Sequence, residues 1–442
     1  MSRPLAIALA ALACASPPSP PEGDASPWAR VELLTATAPR LAAGHEPLAR
    51  SALPANDRAR GWLPADLFVK EGAGGPDGDP GLGDVGHLAT DADCLLASAP
   101  GWDAPTHPTP VLLVHGAGDD LNRAWAHPFE TQTPATPATI DRPGLMQYLS
   151  ARGYAVFAVS FPHTQGNNLT QAELVATALR AIREKTGAAK VDVVAHSKGN
   201  VAALAYLSSL HAAWPETATL SDYAGDVRRY VAVAAPFAGV DTMFRSYGAN
   251  LAVLAGGVGA PLALFHGLVY GAERDFPRWS MTSARGPDHW QGQTQLLHDW
   301  VRDAGHPIPL GDESRTSFDA DATMRALYDG GATAALSSDG IDAALLDARS
   351  TSGTSDFMRR LDAAGVDPGV DVRVLYGTSA SLGAAGESAD PSDGLLFVAS
   401  ATRTSGIARR GAHVARPVAL PLNHLQLTSD ASALDWIERQ LR

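Results

Sequence analysis

The stretch from Val191 to Leu207 sets the tightest limits on what this chain can fold into. It opens with Val191, Val193 and Val194, breaks at Ala195-His196-Ser197-Lys198-Gly199, and continues through Val201, Ala202, Ala203, Leu204, Ala205 and Leu207. A β-branched run followed at once by an alanine- and leucine-rich run reads as a strand that turns sharply into a helix. Ala195 and Gly199 are small where the two backbones would nearly touch. A serine at the apex of such a turn is lifted above the sheet edge in a strained conformation, the arrangement known as a nucleophile elbow. The first amides of the new helix are then aimed at any negative charge that forms beside Ser197.

Strand and helix signals alternate around this stretch. Val111 to His115 is a continuous apolar run ending in His-Gly, which suits a central strand buried on both faces. A helix is expected near Gly144 to Arg152 and a strand over 154–159. A further helix is expected from Asn168 to Thr186, with Leu174, Ala178 and Ile182 on one face and Gly187 ending it. Strands follow at 230–234, 370–376 and 413–420, helices at 356–364 and 320–346, and a closing amphipathic helix at 431–441. This order predicts an α/β fold with a mostly parallel sheet flanked by helices.

The 442 residues, 45% of them hydrophobic, are enough for a large core and for about two or three domains. Residues 106–236 and 371–442 are assigned to the sheet-bearing core, and 28–105 to an N-terminal extension packed on it or preceding it. Residues 237–370 are read as a helical insertion forming a cap or lid. Its apolar, glycine-interrupted segment carries Leu251, Leu254, Leu264 and Phe265, the candidate wall for an apolar ligand. Asp77, Asp79 and Asp84 lie in a glycine-rich loop without the terminal glutamate of a calcium-binding loop.

The net charge of −13 argues against a nucleic-acid partner. One positive charge at Arg3 precedes the apolar run Leu5 to Ala15, which is too short to span a bilayer and fits an export signal over residues 1–15. Two processing routes are compatible with it: lipidation at Cys14, or cleavage after Ala13 or Ala15. The proline-rich segment 16–27 then reads as a tether. Export to the periplasm, the outer membrane or the medium is expected, with no transmembrane span in the mature chain. Cys94 is the only other cysteine, so a disulfide is not expected.

A serine hydroxyl becomes a nucleophile when a base takes its proton and an acid orients that base. Two short motifs late in the chain hold candidates. Asp393 stands in Pro391-Ser392-Asp393-Gly394-Leu395, after the penultimate strand, and Asp390 is its nearest rival. His424 stands in Leu422-Asn423-His424-Leu425, after the last strand. Among the other histidines, His196 is expected to point away from a base position, and His115 to be a structural hydrogen-bonder beneath the loop after the first strand. His289 lies in the insertion and is the weaker alternative. No histidine and cysteine cluster has zinc spacing, and no cofactor is expected.

With these motifs assembled, the chain resembles the extracellular bacterial triacylglycerol lipases of the α/β-hydrolase superfamily. Within that group it is similar to the lipase-like secreted poly(3-hydroxyalkanoate) depolymerases. The resemblance rests on Val111 to Asp119, Val191 to Asn200, the Ser392–Leu395 turn and Asn423-His424-Leu425. It implies an α/β-hydrolase fold with Ser197 as nucleophile, His424 as base and acid, and Asp393 as its orienter. It also implies an oxyanion hole made by the backbone amides of Ala117 and Lys198. Three departures stand out. Ala195 replaces a commoner Gly, Asn200 stands where a second Gly often occurs, and Gln426 occupies the place of a calcium-binding Asp in calcium-dependent relatives. The implied activity is hydrolysis of lipidic or apolar carboxylic esters. An aliphatic polyester depolymerase is the alternative within the same chemistry, and a catalytically silent surface-binding protein the alternative outside it.

Overall fold

The apolar runs of the sequence become the central strands of one mixed sheet. In the computed structural model, residues 28–37, 93–117, 119–126, 143–161, 167–213, 220–239, 296, 355–379 and 391–442 are described. The strands, in chain order, are β1 (Arg30–Thr35), β2 (Asp93–Ser98), β3 (Val111–Val114), β4 (Val156–Ser160), β5 (Val191–His196), β6 (Val227–Val233), β7 (Asp371–Gly377), β8 (His413–Val414) and β9 (Val418–Leu420). Their spatial order is β1-β2-β4-β3-β5-β6-β7-β8, with β9 pairing β7 further along. The β1–β2 and β2–β4 pairs are antiparallel; all the others are parallel.

Side-chain alternation along these strands builds two cores. Leu112, Val114, Phe157, Val159, Val193 and Ala195 face one side. There they meet α2 (Asn168–Thr186), α3 (Gly199–Leu207) and α4 (Ser355–Ala364) through Leu174, Leu179, Ile182, Val201, Leu204 and Phe357. Val111, Leu113, Val156, Ala158, Val194, Val231 and Val233 face the other side. They pack on α1 (Leu145–Ser150) and α6 (Ala431–Leu441) through Leu145, Leu149, Leu434 and Ile437. Strands β3, β4 and β5 are therefore buried on both faces, which is why they read as near-continuous apolar runs. A short helix, α5 (Val398–Ala401), follows the Asp393 turn.

The helix ends follow local chemistry. Asn167 caps α2 by accepting from the Leu169 amide at 2.8 Å, and Gly187 ends it with φ +68. Asp430 caps α6 by accepting from the Ser432 amide at 2.8 Å.

The sheet takes in more than residues 106–236 and 371–442. Strand β2 lies fully buried between β1 and β4, so parts of the N-terminal 28–105 segment are strands of the same sheet. Cys94 is a free thiol buried in β2. The strand expected over 413–420 is two strands, because Pro417 has no N–H to place in a ladder. The helix expected at 320–346, the calcium-like loop, the export segment with Cys14, and the tether lie outside the described residues. So do most of the 237–370 insertion, His289 and Asp390. Leu296 is described, and it joins the apolar cluster on the α2–α3 face. Among the described residues, no helix is long and apolar enough to cross a membrane.

Candidate active site

The turn from β5 into α3 places Ser197 at the sheet's C-terminal edge with φ +53, a left-handed backbone that non-glycine residues seldom adopt. Several bonds hold it there. The Ser197 amide donates to Val233 O at 3.1 Å, and the Asn200 amide donates to Ser197 O at 3.0 Å. The Asn200 side chain donates from Nδ2 to Ser197 O at 3.0 Å and to Val233 O at 2.9 Å, and its Oδ1 accepts from the Tyr230 hydroxyl at 2.7 Å. A glycine at position 200 could make none of these side-chain bonds.

Close approach accounts for the glycines. A Cβ on Gly199 would lie 2.3 Å from His115 O, so α3 begins directly under the end of β3. A Cβ on Gly116 would lie 2.8 Å from the Ser197 Cβ. The His115-Gly116-Ala117 turn is thus laid against the serine, and the backbone at Ala117 follows on from that contact.

His115 anchors this turn from below. It donates from Nδ1 to Gly116 O at 2.8 Å, and its Nε2 accepts from the Phe161 amide at 3.1 Å, so the Nδ1–H tautomer is required. Burial lowers its pKa to about 4, outweighing the bond to Gly116 O, and the Lys198 charge lowers it further. The Lys198 side chain is buried and donates to Gln171 Oε1 on α2. Burial drives its pKa well below that of an ordinary lysine.

Asp393 and His424 approach from the ends of β7 and β9. Gly377 closes β7, and a Cβ there would sit 2.3 Å from Leu422 O and 2.8 Å from the Asp393 Cβ; both loops therefore converge on a bare Cα. Asp393 Oδ1 accepts from the Leu395 and Leu396 amides at 3.1 and 2.7 Å, inside a turn completed by Gly394 with φ +98. This leaves Oδ2 for His424, whose Nδ1 donates to it at 2.8 Å. Nε2, thereby the unprotonated nitrogen, lies 2.9 Å from Ser197 Oγ and accepts its proton. The His424 amide also donates to Asp393 O at 2.9 Å. Ser197, Asp393 and His424, separated widely in sequence, thus form one continuous hydrogen-bonded series, with the aspartate 1% and the histidine 4% exposed. So little solvent reaches the pair that its bonds act in a low-dielectric setting.

His196 does not take a base position toward Ser197, as expected, but its contact with His424 was not foreseen: its Nε2 lies 3.0 Å from His424 O, and the two rings are 4.8 Å apart at 49°. It is the last residue of β5, and strand alternation turns it toward the loop that carries His424. The Asn200 clamp was also missed; its only sequence signal was a polar residue at a site expected to be small. Leu251, Leu254, Leu264 and Phe265, the candidate wall, lie outside the described residues. Among the described residues no group of three or more His, Cys, Asp or Glu side chains gathers as a metal site would need.

The sheet order and the strand–serine–helix turn are those of an α/β-hydrolase fold. The sequence model of the family described as Lipase (class 2) matches residues 108–250, a segment that includes Ser197 and stops short of Asp393 and His424. Residues 108–250 are thus similar to the class 2 lipases, a match that covers about a third of the chain. Among solved structures it is similar to a Bacillus licheniformis lipase in mature form, at 14% identity and TM-score 0.36, over 77% of this chain and 98% of that one. It is also similar to a highly thermostable carboxyl esterase from Bacillus coagulans, at 12% identity and TM-score 0.35, over 79% and 92%. An epoxide hydrolase from Vigna radiata matches at 14% identity and TM-score 0.33, over 79% and 94%.

Proposed function

We propose that this chain is an exported serine esterase that hydrolyses carboxylic esters of lipidic or apolar acyl groups. The observation that carries the reading is the Asp393–His424–Ser197 series, with its tautomer dictated from the carboxylate end. Ser197 Oγ attacks the ester carbonyl carbon while its proton passes to His424 Nε2. The imidazolium so formed is stabilised by Asp393 Oδ2. The amides of Ala117 and Lys198 receive the carbonyl oxygen as it becomes an oxyanion; one such donor contributes about 2.7–4 kcal/mol to transition-state stabilisation. Collapse of the tetrahedral intermediate breaks the bond to the alkoxy group, which leaves as alcohol with the proton from His424. Water then attacks the acyl-Ser197 ester, gives its proton to His424, and releases the carboxylic acid and the free serine.

The apolar substrate is supported by the sequence of the 237–370 segment, and export by the Leu5–Ala15 run. The test is a p-nitrophenyl ester chain-length series on the purified protein and its Ser197→Ala variant, with triglyceride emulsion and insoluble aliphatic polyester run beside it. The reading predicts turnover that rises from acetate to longer acyl chains and vanishes in Ser197→Ala. Release of hydroxyacid from polymer with little action on triglyceride would mark a depolymerase. No turnover of any ester would mark a binding protein.

A further inference from the structure

The nucleophile and the residue before it both touch His424. Ser197 Oγ reaches the imidazole at Nε2, at 2.9 Å, while His196 Nε2 reaches the backbone carbonyl of the same residue at 3.0 Å. Among the described residues, the remaining bonds on His424 both go to Asp393: its amide donates to Asp393 O and its Nδ1 to Asp393 Oδ2. His424 is therefore held on one side by the acid turn and on the other by the elbow. Among the described residues, the His196 bond is the elbow's hold that does not itself take part in proton transfer.

We infer that His196 is a positioning residue: by donating from Nε2 to the His424 carbonyl, it sets the height and tilt at which the imidazole meets Ser197. The inference rests on Ser197 and His424 being nucleophile and base. The acceptor fixes the tautomer, because a carbonyl oxygen offers only lone pairs, so the proton must sit on His196 Nε2. Nδ1 is then an acceptor. It is buried and has no hydrogen-bond partner among the described residues, although the residue is only 3% exposed. A buried polar atom without a partner is unfavourable, and an apolar side chain filling the same space would avoid the cost. A histidine kept only for packing has no reason to accept this cost; one kept for its Nε2–H donor does. Burial, with the neighbouring His424 charge adding to it, pushes the His196 pKa down to about 3. The ring therefore stays neutral when His424 becomes an imidazolium 4.8 Å away, where a second cation would oppose the proton transfer.

The test compares His196→Phe, which keeps a ring and removes the donor, with His196→Gln, which keeps a donor. Steady-state kinetics on p-nitrophenyl butyrate should show kcat about 10- to 100-fold lower in His196→Phe. KM should stay within about twofold, and His196→Gln should recover most of the loss. Imidazole 15N spectra of the unmodified protein should show His196 as the neutral Nε2–H tautomer down to about pH 5, well below the usual histidine range. A His196→Phe variant with undiminished kcat, or Phe and Gln variants equally impaired, would overturn the inference. So would an Nδ1–H tautomer, which is readable even if neither variant folds. Ser197→Ala separates the two levels of the argument: if it retains turnover, the serine-esterase reading fails; if it is inactive beside an unimpaired His196→Phe, only the positioning role fails.

Discussion

Ser197 stands in a backbone conformation that costs on the order of 1–3 kcal/mol, and the surroundings must hold it there. Asn200 supplies much of that hold, since its amide bridges Ser197 O and Val233 O while Tyr230 is bonded to its other end. Replacing Asn200 by Ala removes these bonds and leaves the Tyr230 hydroxyl buried without its partner. The expected loss is about 2–4 kcal/mol of stability, measurable as a lowered denaturant midpoint, together with reduced kcat. Ser197→Ala and His424→Ala should each lower ester turnover by several orders of magnitude, with melting temperatures close to that of the parent. The double variant should be scarcely worse than either single one, because the two groups act as one unit. Asp393→Asn should be severe yet leave residual activity. Its amide can present an N–H toward Nδ1 and so favour the tautomer in which Nε2 cannot accept the serine proton. Substantial turnover in His424→Ala would be incompatible with this assignment.

Strand ends, more than whole strands, decide where these residues meet. Gly377 closes β7 at a point where the His424 and Asp393 loops both press on its Cα, at 2.3 Å to Leu422 O and 2.8 Å to the Asp393 Cβ for an added methyl. Gly377→Ala should therefore separate acid from base. The expected cost is about 1–3 kcal/mol in stability, with a larger proportional loss in kcat than in KM; unchanged kcat would show that the loops relax independently. The sequence carried β3, β4, β5 and α3 clearly, because burial on both faces leaves an unbroken apolar run and the serine turn requires small neighbours. The chain order of Ser197, Asp393 and His424 was legible for the same reason: each follows a recognisable strand. Strand β2 was not, since Cys94-Leu95-Leu96-Ala97 is short and has no turn signal tying it to its neighbours. The contact of His196 with the His424 loop was not legible, because the elbow's local pattern says nothing about a loop more than two hundred residues away, and only the sheet brings them together.

At the scale of the whole molecule, two buried histidines link the site to folding. His115 and His196 are neutral in the fold, with pKa values lowered to about 4 and about 3, chiefly by burial. In the unfolded chain both regain ordinary values near 6.5, so below that pH the unfolded state binds protons that the native state refuses. Stability should therefore be intact above about pH 6.5 and fall by up to about 2.7 kcal/mol per pH unit toward pH 4, where both groups contribute. Denaturation followed at a series of pH values should show this slope halved in His115→Gln; an unchanged slope would place the proton uptake elsewhere. The central claim, that Ser197 is a nucleophile activated by His424 and Asp393, is tested most directly by active-site labelling. Purified protein treated with a fluorophosphonate should take up one phosphonyl group, located on Ser197 by peptide mass spectrometry, as ester turnover disappears in proportion. Label on another residue, or full loss of turnover with Ser197 unmodified, would contradict it.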